Sequence, residues 1–340
     1  MKIDARFALD SMPLRDVPRV ARAAEALGLD ALWSSQTTHD PYLPLALAAE
    51  STSRIQVGTA IALAFTRSPM ETAYTAWDMQ ALSGGRFLLG LGSQVKGHNE
   101  RRFSVKWEAP APRMAEVVQS LRAIWTCWQT AGPLDFKGKL YNFSLMTPYF
   151  SPGPIAHPHI PVYISAVNPA MLHVAGQYCD GVHIHPMHTA RYLRDVALPA
   201  IAVGSGRSGR QRKDVVVSSM PFVVTGRNRE EMEKNRQETR RQIAFYASTP
   251  AYKIILELHG WDYLNVVLGR KAIRGEWQDM ANEISDEMLE EFAVVGTPDE
   301  IGPKLKAKYE GLLDRVALYT PFDPGQHDEL WKSVVQAAKE

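Results

Sequence analysis

Cysteine, net charge and long apolar runs are all scarce in this sequence of 340 residues. Its two cysteines, Cys127 and Cys179, cannot build a disulfide framework, which is typical of a chain kept in a reducing cytoplasm. Lysine plus arginine exceeds aspartate plus glutamate by only one, so no overall field attracts nucleic acid or an anionic membrane. The N-terminal segment lacks the apolar core of a signal peptide. We therefore expect a cytoplasmic protein whose partner is a small molecule.

Several motifs of common enzyme classes are missing as well. The glycine-rich GLGSQ at residues 90–94 does not complete the dinucleotide fingerprint G-x-G-x-x-G, because position 95 is valine. There is no phosphate-binding lysine loop, no G-x-S-x-G serine elbow and no C-x-x-C pair. Between Lys139 and Asp180 no acidic or basic residue occurs, but prolines interrupt this stretch. No run of about 18 apolar residues remains, so we predict no membrane span.

What the sequence does contain is a regular alternation of apolar and helical segments. The predicted strands are residues 2–9, 30–35, 55–65, 86–93, 161–167, 180–186, 214–225 and 314–320. Alternation of this kind indicates a parallel sheet with right-handed crossovers, and eight units favour a closed (β/α)8 barrel. Insertions near 132–159 and 250–290 account for the extra length, within a single domain of residues 1–340. The alternative is a two-domain, doubly wound protein.

In a barrel of this type the active site lies at the carboxyl ends of the strands. His39 follows the second strand beside Asp40 and is our candidate general acid or base; the alternative is a loop histidine without a role. In SAVNPAM, residues 165–171, backbone N–H groups could bind a phosphate, or Asn168 could simply cap the helix. His183 and His185 share one strand face. They predict either core or cofactor-lining side chains, or a metal site of a hydrolase.

Four segments, in this order, resemble the luciferase-like monooxygenase superfamily, and within it the branch of coenzyme F420-dependent oxidoreductases. They are ALGLDALWSSQTTHDPYLPLALAAESTSRIQVGTAIALAF, SGGRFLLGLGSQV, PVYISAVNPAMLHVAGQYCDGVHIHP, and VVGTPDEIGPKL with YEGLLDRVALYTP. The resemblance covers almost the whole chain and implies a bacterial luciferase-like TIM barrel with insertions, in agreement with the count of strands. It also implies an oxidoreductase, and we expect a homodimer or a higher homo-oligomer.

The resemblance further implies which residues bind the cofactor. Ala60–Ile61 matches a bulge, often a cis peptide, that lies against the isoalloxazine ring, and Ser165–Asn168 matches the loop that holds the phosphate. The expected cofactor-binding residues are Gln36, Thr38, Ala60, Ile61, Ser93, Gln94, Ser165, Ala166, Val167, Asn168 and His183. Sugar-phosphate dehydrogenases of this group carry an acid where this sequence has Val95. That departure disfavours a sugar phosphate and leaves the proton transfer to His39, or else to His98.

The expected reaction is hydride transfer between coenzyme F420 and a small, largely apolar organic substrate, with His39 as the catalytic residue and no metal. Phe65, Trp107, Trp261 and Tyr263 suggest an aromatic pocket, or else ordinary core. An FMN-dependent two-component monooxygenase is the alternative within the fold. A metal-dependent hydrolase on His183 and His185, or a protein that binds the cofactor without turnover, is the alternative from another class.

Overall fold

The computed structural model describes residues 1–339, in which eight parallel strands close into a barrel. The strands are β1 (Lys2–Arg6), β2 (Ala31–Ser34), β3 (Gln56–Thr59), β4 (Phe87–Gly92), β5 (Val162–Ala166), β6 (Gly181–Ile184), β7 (Val216–Ser219) and β8 (Arg315–Ala317). Each strand pairs with the next, and β1 pairs with β8, for example Ile3 with Val316. The predicted TIM barrel is therefore confirmed, and the open doubly wound alternative is wrong.

Helices surround the barrel and connect its strands. They are Val17–Leu27, Leu43–Ser51, Pro69–Leu82, Lys96–Arg102, Pro110–Thr130, Pro169–Tyr178, Ala190–Tyr192, Leu198–Gly206, Arg229–Ala247, Lys253–Leu258, Tyr263–Arg274, Asp286–Phe292, Ile301–Tyr309 and Asp328–Lys339. The helix Ile301–Tyr309 follows a turn that is closed by Thr297. Thr297 donates its hydroxyl to Asp299 and its N–H to the carboxylate of Glu300. No helix among residues 1–339 is long and apolar enough to cross a membrane.

Two of the predicted strands are broken in the structure. The segment 55–65 divides into β3 and a short strand, Ala62–Leu63, on either side of the Ala60–Ile61 peptide. The segment 214–225 divides at Pro221, which lacks the N–H that a continuous ladder needs. After Pro221 the short strand Phe222–Val224 leaves the barrel and pairs in parallel with Ala293–Val295. These breaks direct the chain around the mouth of the barrel.

The two segments predicted as insertions contain short elements of their own. The first contains a small hairpin of Phe136–Lys137 and Asn142–Phe143. Its turn is held by Glu116, whose carboxylate accepts three backbone N–H groups between residues 139 and 141. The second begins with a turn at Pro250–Tyr252 and continues into the helix Lys253–Leu258. Ala251 accepts a hydrogen bond from Asn168, which brings the start of this insertion over the end of β5.

The base of the barrel interior is closed by a buried ion pair. Arg315 Nε and Nη2 donate to the two carboxylate oxygens of Asp4, each at 2.8 Å. Trp33 Nε1 also donates to Asp4, at 2.9 Å, and Arg315 Nη1 donates to Gln56 Oε1. Above them Trp33, Leu88 and other apolar residues fill the interior. Because its charged groups are paired and buried, this end of the barrel is part of the structural core.

Candidate active site

The carboxyl end of the barrel is its open end. Side chains alternate between the two faces of a strand. Residues that follow the filled interior layer by two positions on each strand therefore also point into the barrel. At this end they are Arg6, Ser35, Ala60, Gly92, Ser165, His185, Met220 and Tyr319, and all except Gly92 are partly exposed. The residues two positions earlier on β2, β5 and β6, namely Trp33, Tyr163 and His183, are buried. These half-buried residues therefore line the mouth of the barrel, where the candidate site lies.

One side of this mouth is a floor formed by Ala60, Ile61, Gly92 and Ser165, and its Ala60–Ile61 peptide is cis. The end of β2 fixes it from the side: Ser35 Oγ donates to Ala60 O at 2.7 Å, and Gln36 N donates to Ile61 O at 3.0 Å. Gln36 Oε1 in turn accepts from Leu63 N at 2.8 Å. Both residues of the cis peptide are half-buried. The resemblance predicts this cis peptide, and the structure adds the two side chains that hold it.

Gly92, at the end of β4, leaves the floor next to this peptide without a protruding side chain. A Cβ atom at Gly92 would lie 2.5 Å from Ile61 Cδ1 and 2.8 Å from Ser165 Oγ. Ser165 is half-buried, and its hydroxyl has no hydrogen-bond partner within residues 1–339. A planar ring can approach backbone closely only where side chains are absent. The surface made by Ala60–Ile61, Gly92 and Ser165 therefore fits a flat, ring-shaped cofactor.

The loop after β4 carries the next two predicted residues. Gln94 adopts a left-handed conformation with φ 57°, and its side chain accepts from Val95 N. Ser93 donates its hydroxyl to Gln94 O, and its own carbonyl accepts from Asn99 Nδ2 at 2.9 Å. Asn99 is fully buried, and its Oδ1 has no partner within residues 1–339. Sequence reasoning missed Asn99, which holds this loop from the helix Lys96–Arg102.

The segment Ser165–Asn168 leads from β5 into the helix Pro169–Tyr178. Ala166 is buried among the outer core residues, whereas Val167 is half-buried and its carbonyl accepts from the Tyr192 hydroxyl. Asn168 is exposed and occupies the N-cap position, but its side chain makes no capping hydrogen bond. It donates instead to Ala251 O at 3.2 Å. The simple capping alternative thus lacks its hydrogen bond, and the phosphate-binding role stays a prediction.

His183 and His185 point into the barrel at different depths. His183 is buried between Trp33 and Tyr163, whose ring centroids lie 4.8 and 5.1 Å from its own. Burial, with a contribution from Arg315, lowers the pKa of His183 to about 3. His185 lies one layer higher, at the mouth. The residue predicted to line the cofactor therefore lies in the filled interior, beneath the floor, and His185 takes the mouth position.

His185 is held as a neutral imidazole. Met187 N donates to its Nδ1 at 3.1 Å, so the proton of the neutral ring is on Nε2. Tyr246 and Tyr252 each pack against the ring with centroids 4.6 Å apart. Burial by these neighbours, with a contribution from His188, lowers the pKa of His185 to about 3. His185 therefore offers one hydrogen-bond donor at neutral pH and does not carry a charge.

His39 lies on an anchored loop after β2. Thr38 Oγ1 donates to Asp10 at 2.8 Å, and Arg102 Nη2 donates to the carbonyl of Thr37. Asp40 forms an ion pair with Arg67 at 2.6 Å and caps the helix Leu43–Ser51. Asp40 is thus engaged elsewhere, and His39 is exposed without a hydrogen-bond partner in the described chain. The adjacent aspartate does not orient this imidazole.

A cluster that the sequence analysis did not assemble lines the other side of the mouth. Arg6 Nε donates to Tyr319 O at 2.6 Å, and its guanidinium carbon lies 5.1 Å from the Tyr319 ring centroid. The Tyr319 and Tyr246 hydroxyls are 3.0 Å apart. Phe222 packs beneath them, 4.9 Å from Tyr319. Burial lowers the pKa of Arg6 and raises the pKa of Tyr246 and Tyr252, so both tyrosines keep their hydroxyl protons at neutral pH.

The four aromatic residues suggested as a pocket do not form one. Phe65 and Trp107 contact each other, with centroids 6.3 Å apart, whereas Trp261 stacks on His259 at 4.5 Å. Tyr263 is 52% exposed, and no ring contact within residues 1–339 joins the two groups. The aromatic wall at the mouth comes instead from the tyrosines beside His185 and Arg6.

The histidines give the hydrolase alternative no metal centre. Within residues 1–339 no three histidine, cysteine, aspartate or glutamate side chains are placed to share one ion. His188 Nδ1 lies 2.9 Å from His185 O, and Asp180 pairs with Arg122 at the opposite end of β6. His183 is enclosed by aromatic rings.

The comparisons with known proteins agree with this geometry. A profile of the family described as luciferase-like monooxygenase matches residues 2–315. An uncharacterized protein of Mycobacterium tuberculosis is 47% identical over 314 residues, with 92% of each chain covered. The 5,10-methylenetetrahydromethanopterin reductase of Archaeoglobus fulgidus is 28% identical over 333 residues, with 95% of each chain covered.

Among solved structures, the coenzyme F420 dependent tetrahydromethanopterin reductase from Methanopyrus kandleri superposes with a TM-score of 0.78 and 21% identity. That superposition covers 98% of this chain and 96% of the reductase, and it shows the same fold. With its barrel, its cis peptide and a profile match along most of its length, the chain belongs to the luciferase-like monooxygenase family and is an oxidoreductase.

Proposed function

We propose that this protein is a coenzyme F420-dependent oxidoreductase that transfers a hydride between the deazaflavin and a small organic substrate. The observation that carries the proposal is the flat floor of Ala60–Ile61, Gly92 and Ser165, which fits a planar ring. The 5,10-methylenetetrahydromethanopterin reductase of Archaeoglobus fulgidus is similar to this chain over 95% of its length. This similarity supports a reductase rather than an oxygenase. The name of the solved Methanopyrus reductase supports coenzyme F420 as the cofactor.

The chain's own residues would divide the work between binding and proton transfer. Ser35 and Gln36 hold the floor in place, and Ser165 offers a free hydroxyl at its edge. Backbone N–H groups at the start of the helix Pro169–Tyr178 would hold the cofactor phosphate, favoured by the helix dipole. When bound, a deazaflavin supplies a hydride donor or acceptor that reacts poorly with oxygen. His39, exposed and unpaired on its anchored loop, would exchange the proton with the substrate.

Cofactor choice is tested by titrating purified apo-protein with F420 and with FMN and following the quenching of cofactor fluorescence. We expect tight binding of F420 and weak binding of FMN. The reverse order would contradict the proposal and favour the alternative in this family, an FMN-dependent monooxygenase supplied by a separate reductase. Such an enzyme would also need oxygen for turnover.

The role of His39 is tested by the His39→Ala variant, with His98→Ala as the matched control. General acid–base catalysis contributes about 10²- to 10⁴-fold, so we expect turnover to fall within that range in His39→Ala. Cofactor affinity should remain near wild type, because the loop is anchored through Thr38 and Asp40 rather than through His39. Turnover equal to that of the wild type would remove His39 from the mechanism. Loss in the control alone would transfer the role to His98.

A further inference from the structure

Arg6 is a half-buried cation at the end of β1, and it has no acidic partner among residues 1–339. Its Nε makes one hydrogen bond, to the Tyr319 carbonyl, and no carboxylate oxygen within residues 1–339 lies within ion-pair distance. The Asp10 carboxylate attracts Arg6 electrostatically from a longer distance, but the hydrogen bond that Asp10 accepts comes from the Thr38 hydroxyl. Burial of an unpaired charge is costly, so the free Nη1 and Nη2 atoms indicate an anionic partner other than the described residues of this chain.

Arg86 gives an internal comparison, because it also lacks a close carboxylate. It lies near the base of the barrel and donates five hydrogen bonds, to acceptors on residues 49, 52, 55 and 83. Every N–H group of Arg86 is therefore used by the fold. Arg6 uses one of its five, which marks its guanidinium as available to a ligand rather than as a structural link.

The surroundings of Arg6 are rich in donors. Only one hydroxyl hydrogen lies between Tyr246 and Tyr319, so the other hydroxyl hydrogen of this pair remains free to donate. His185 lies edge-on to Tyr246, with ring centroids 4.6 Å apart, and carries its proton on Nε2. A guanidinium, a tyrosine hydroxyl and a neutral imidazole are thus linked through Tyr246 and Tyr319 on one side of the mouth. Such a set matches an oxygen anion on an apolar body.

The position of this cluster separates it from the cofactor floor. Arg6 and Tyr319 stand on β1 and β8, whereas Gly92 and Ser165 stand on β4 and β5, on the opposite side of the closed barrel. A ring that lies on the floor would leave the Arg6 side of the mouth free. A ligand bound at Arg6 would therefore be the substrate rather than the cofactor.

We propose that Arg6, with the Tyr246–Tyr319 hydroxyl pair, binds a carboxylate of the substrate, so that the substrate class is a small carboxylic acid with an apolar body. Arginine binds carboxylates through paired N–H bonds, and Nη1 and Nη2 are the atoms free to make them. The carboxylate would orient the substrate across the mouth, facing the floor. This substrate class rests on the proposed function, since it presumes a cofactor on that floor.

The test is calorimetric titration with benzoate and hexanoate and with their neutral amides, with and without saturating cofactor. We expect the wild type to bind at least one carboxylate about ten-fold or more tightly than its amide, as for a charge-assisted hydrogen bond. Arg6→Gln should lose this preference, and Arg6→Lys should keep part of it. The control is Arg54→Gln, a 72% exposed arginine at the opposite end of the barrel, which should keep the preference.

Equal binding of acids and amides by the wild type would overturn the proposal. So would a preference that survives in a folded Arg6→Gln variant. If that variant does not fold, Tyr246→Phe removes one hydroxyl from the pair and leaves Arg6 in place; unchanged carboxylate affinity there would overturn the proposal too. A carboxylate preference without binding of F420 or FMN would refute the proposed function but not this site. Cofactor binding without the preference would refute only the site.

Discussion

Alanine substitutions at two glycines of β4 separate the packing of the barrel from the shape of the candidate site. A Cβ at Gly90 would lie 1.8 Å from the backbone carbonyl oxygen of Thr59. A Cβ at Gly92 would meet the Cδ1 of Ile61 and the Oγ of Ser165 instead. The first obstacle is the backbone of a neighbouring barrel strand, and the second consists of two side-chain ends that can rotate. The same added methyl group should therefore have two different effects.

The expected magnitudes follow from what has to move. Overpacking a core costs about 1–3 kcal/mol, and at Gly90 a strand backbone must give way, so we expect at least about 3 kcal/mol. In a chain of 340 residues that lowers the Tm by about 4 °C or more. At Gly92 a displaced rotamer costs about 0.5–1.5 kcal/mol, so the fold should persist. The displaced Ile61 would then occupy the floor, and we expect cofactor affinity to fall about ten-fold or more.

The assay combines thermal unfolding with fluorescence titration of F420 and FMN. Gly206→Ala is the control, because nothing lies within 4 Å of a Cβ at this exposed helix end. We expect it to melt and to bind cofactor as the wild type does. Wild-type cofactor affinity in Gly92→Ala would refute the assignment of the floor. A Gly90→Ala variant that melts with the wild type would refute the packing argument.

Two further predictions concern buried charge. Arg315→Met leaves the Asp4 carboxylate buried without its cation, which should lower the free energy of unfolding by about 3–5 kcal/mol. Because burial already raises the pKa of Asp4, this loss, measured by urea denaturation, should be smaller at pH 5 than at pH 8. Equal losses at the two pH values would contradict the argument. Burial lowers the pKa of His183 and His185 to about 3 and of His188 to about 4, below the ordinary 6.5, so below pH 6.5 the unfolded chain binds protons that the folded chain excludes. Stability should therefore fall from pH 6.5 to pH 5 by up to about 1.4 kcal/mol per pH unit for each histidine, and a flat profile would show that these rings are not excluded from protonation.

The barrel itself could be predicted from the sequence because its signal is local. Each strand is a short apolar run, and each run is followed by a helical pattern, so the count of eight needs no knowledge of distant contacts. Where the sequence analysis extended β3 and β7 too far, the missing information was the geometry of the mouth. Pro221 was available as a breaker signal. The position of the cis peptide at Ala60–Ile61 came from the resemblance rather than from the pattern.

Depth along a strand was harder to predict than its face. Alternation places His183 and His185 on the same inward face, but it does not say which one lies at the mouth. That depends on the stagger between neighbouring strands, which sets His183 opposite Ser218 and within the aromatic interior. The sequence analysis therefore identified the inward face of the strand, but it selected His183, the deeper of the two histidines, as the residue that lines the cofactor. The pairing of Arg6 with Tyr319, across 313 positions, was not visible in any local window.

The distribution of unpaired charge supports the mouth of the barrel as the site that we propose. A fold of this size tolerates a buried ion when the ion is paired, as in Asp4 with Arg315, or fully hydrogen-bonded, as in Arg86. Both lie toward the base. Among residues 1–339, Arg6 at the mouth is half-buried with most of its donors unused, and Ser165 across from it has a free hydroxyl. A cofactor and a substrate bound at the mouth would supply hydrogen-bond partners to these groups.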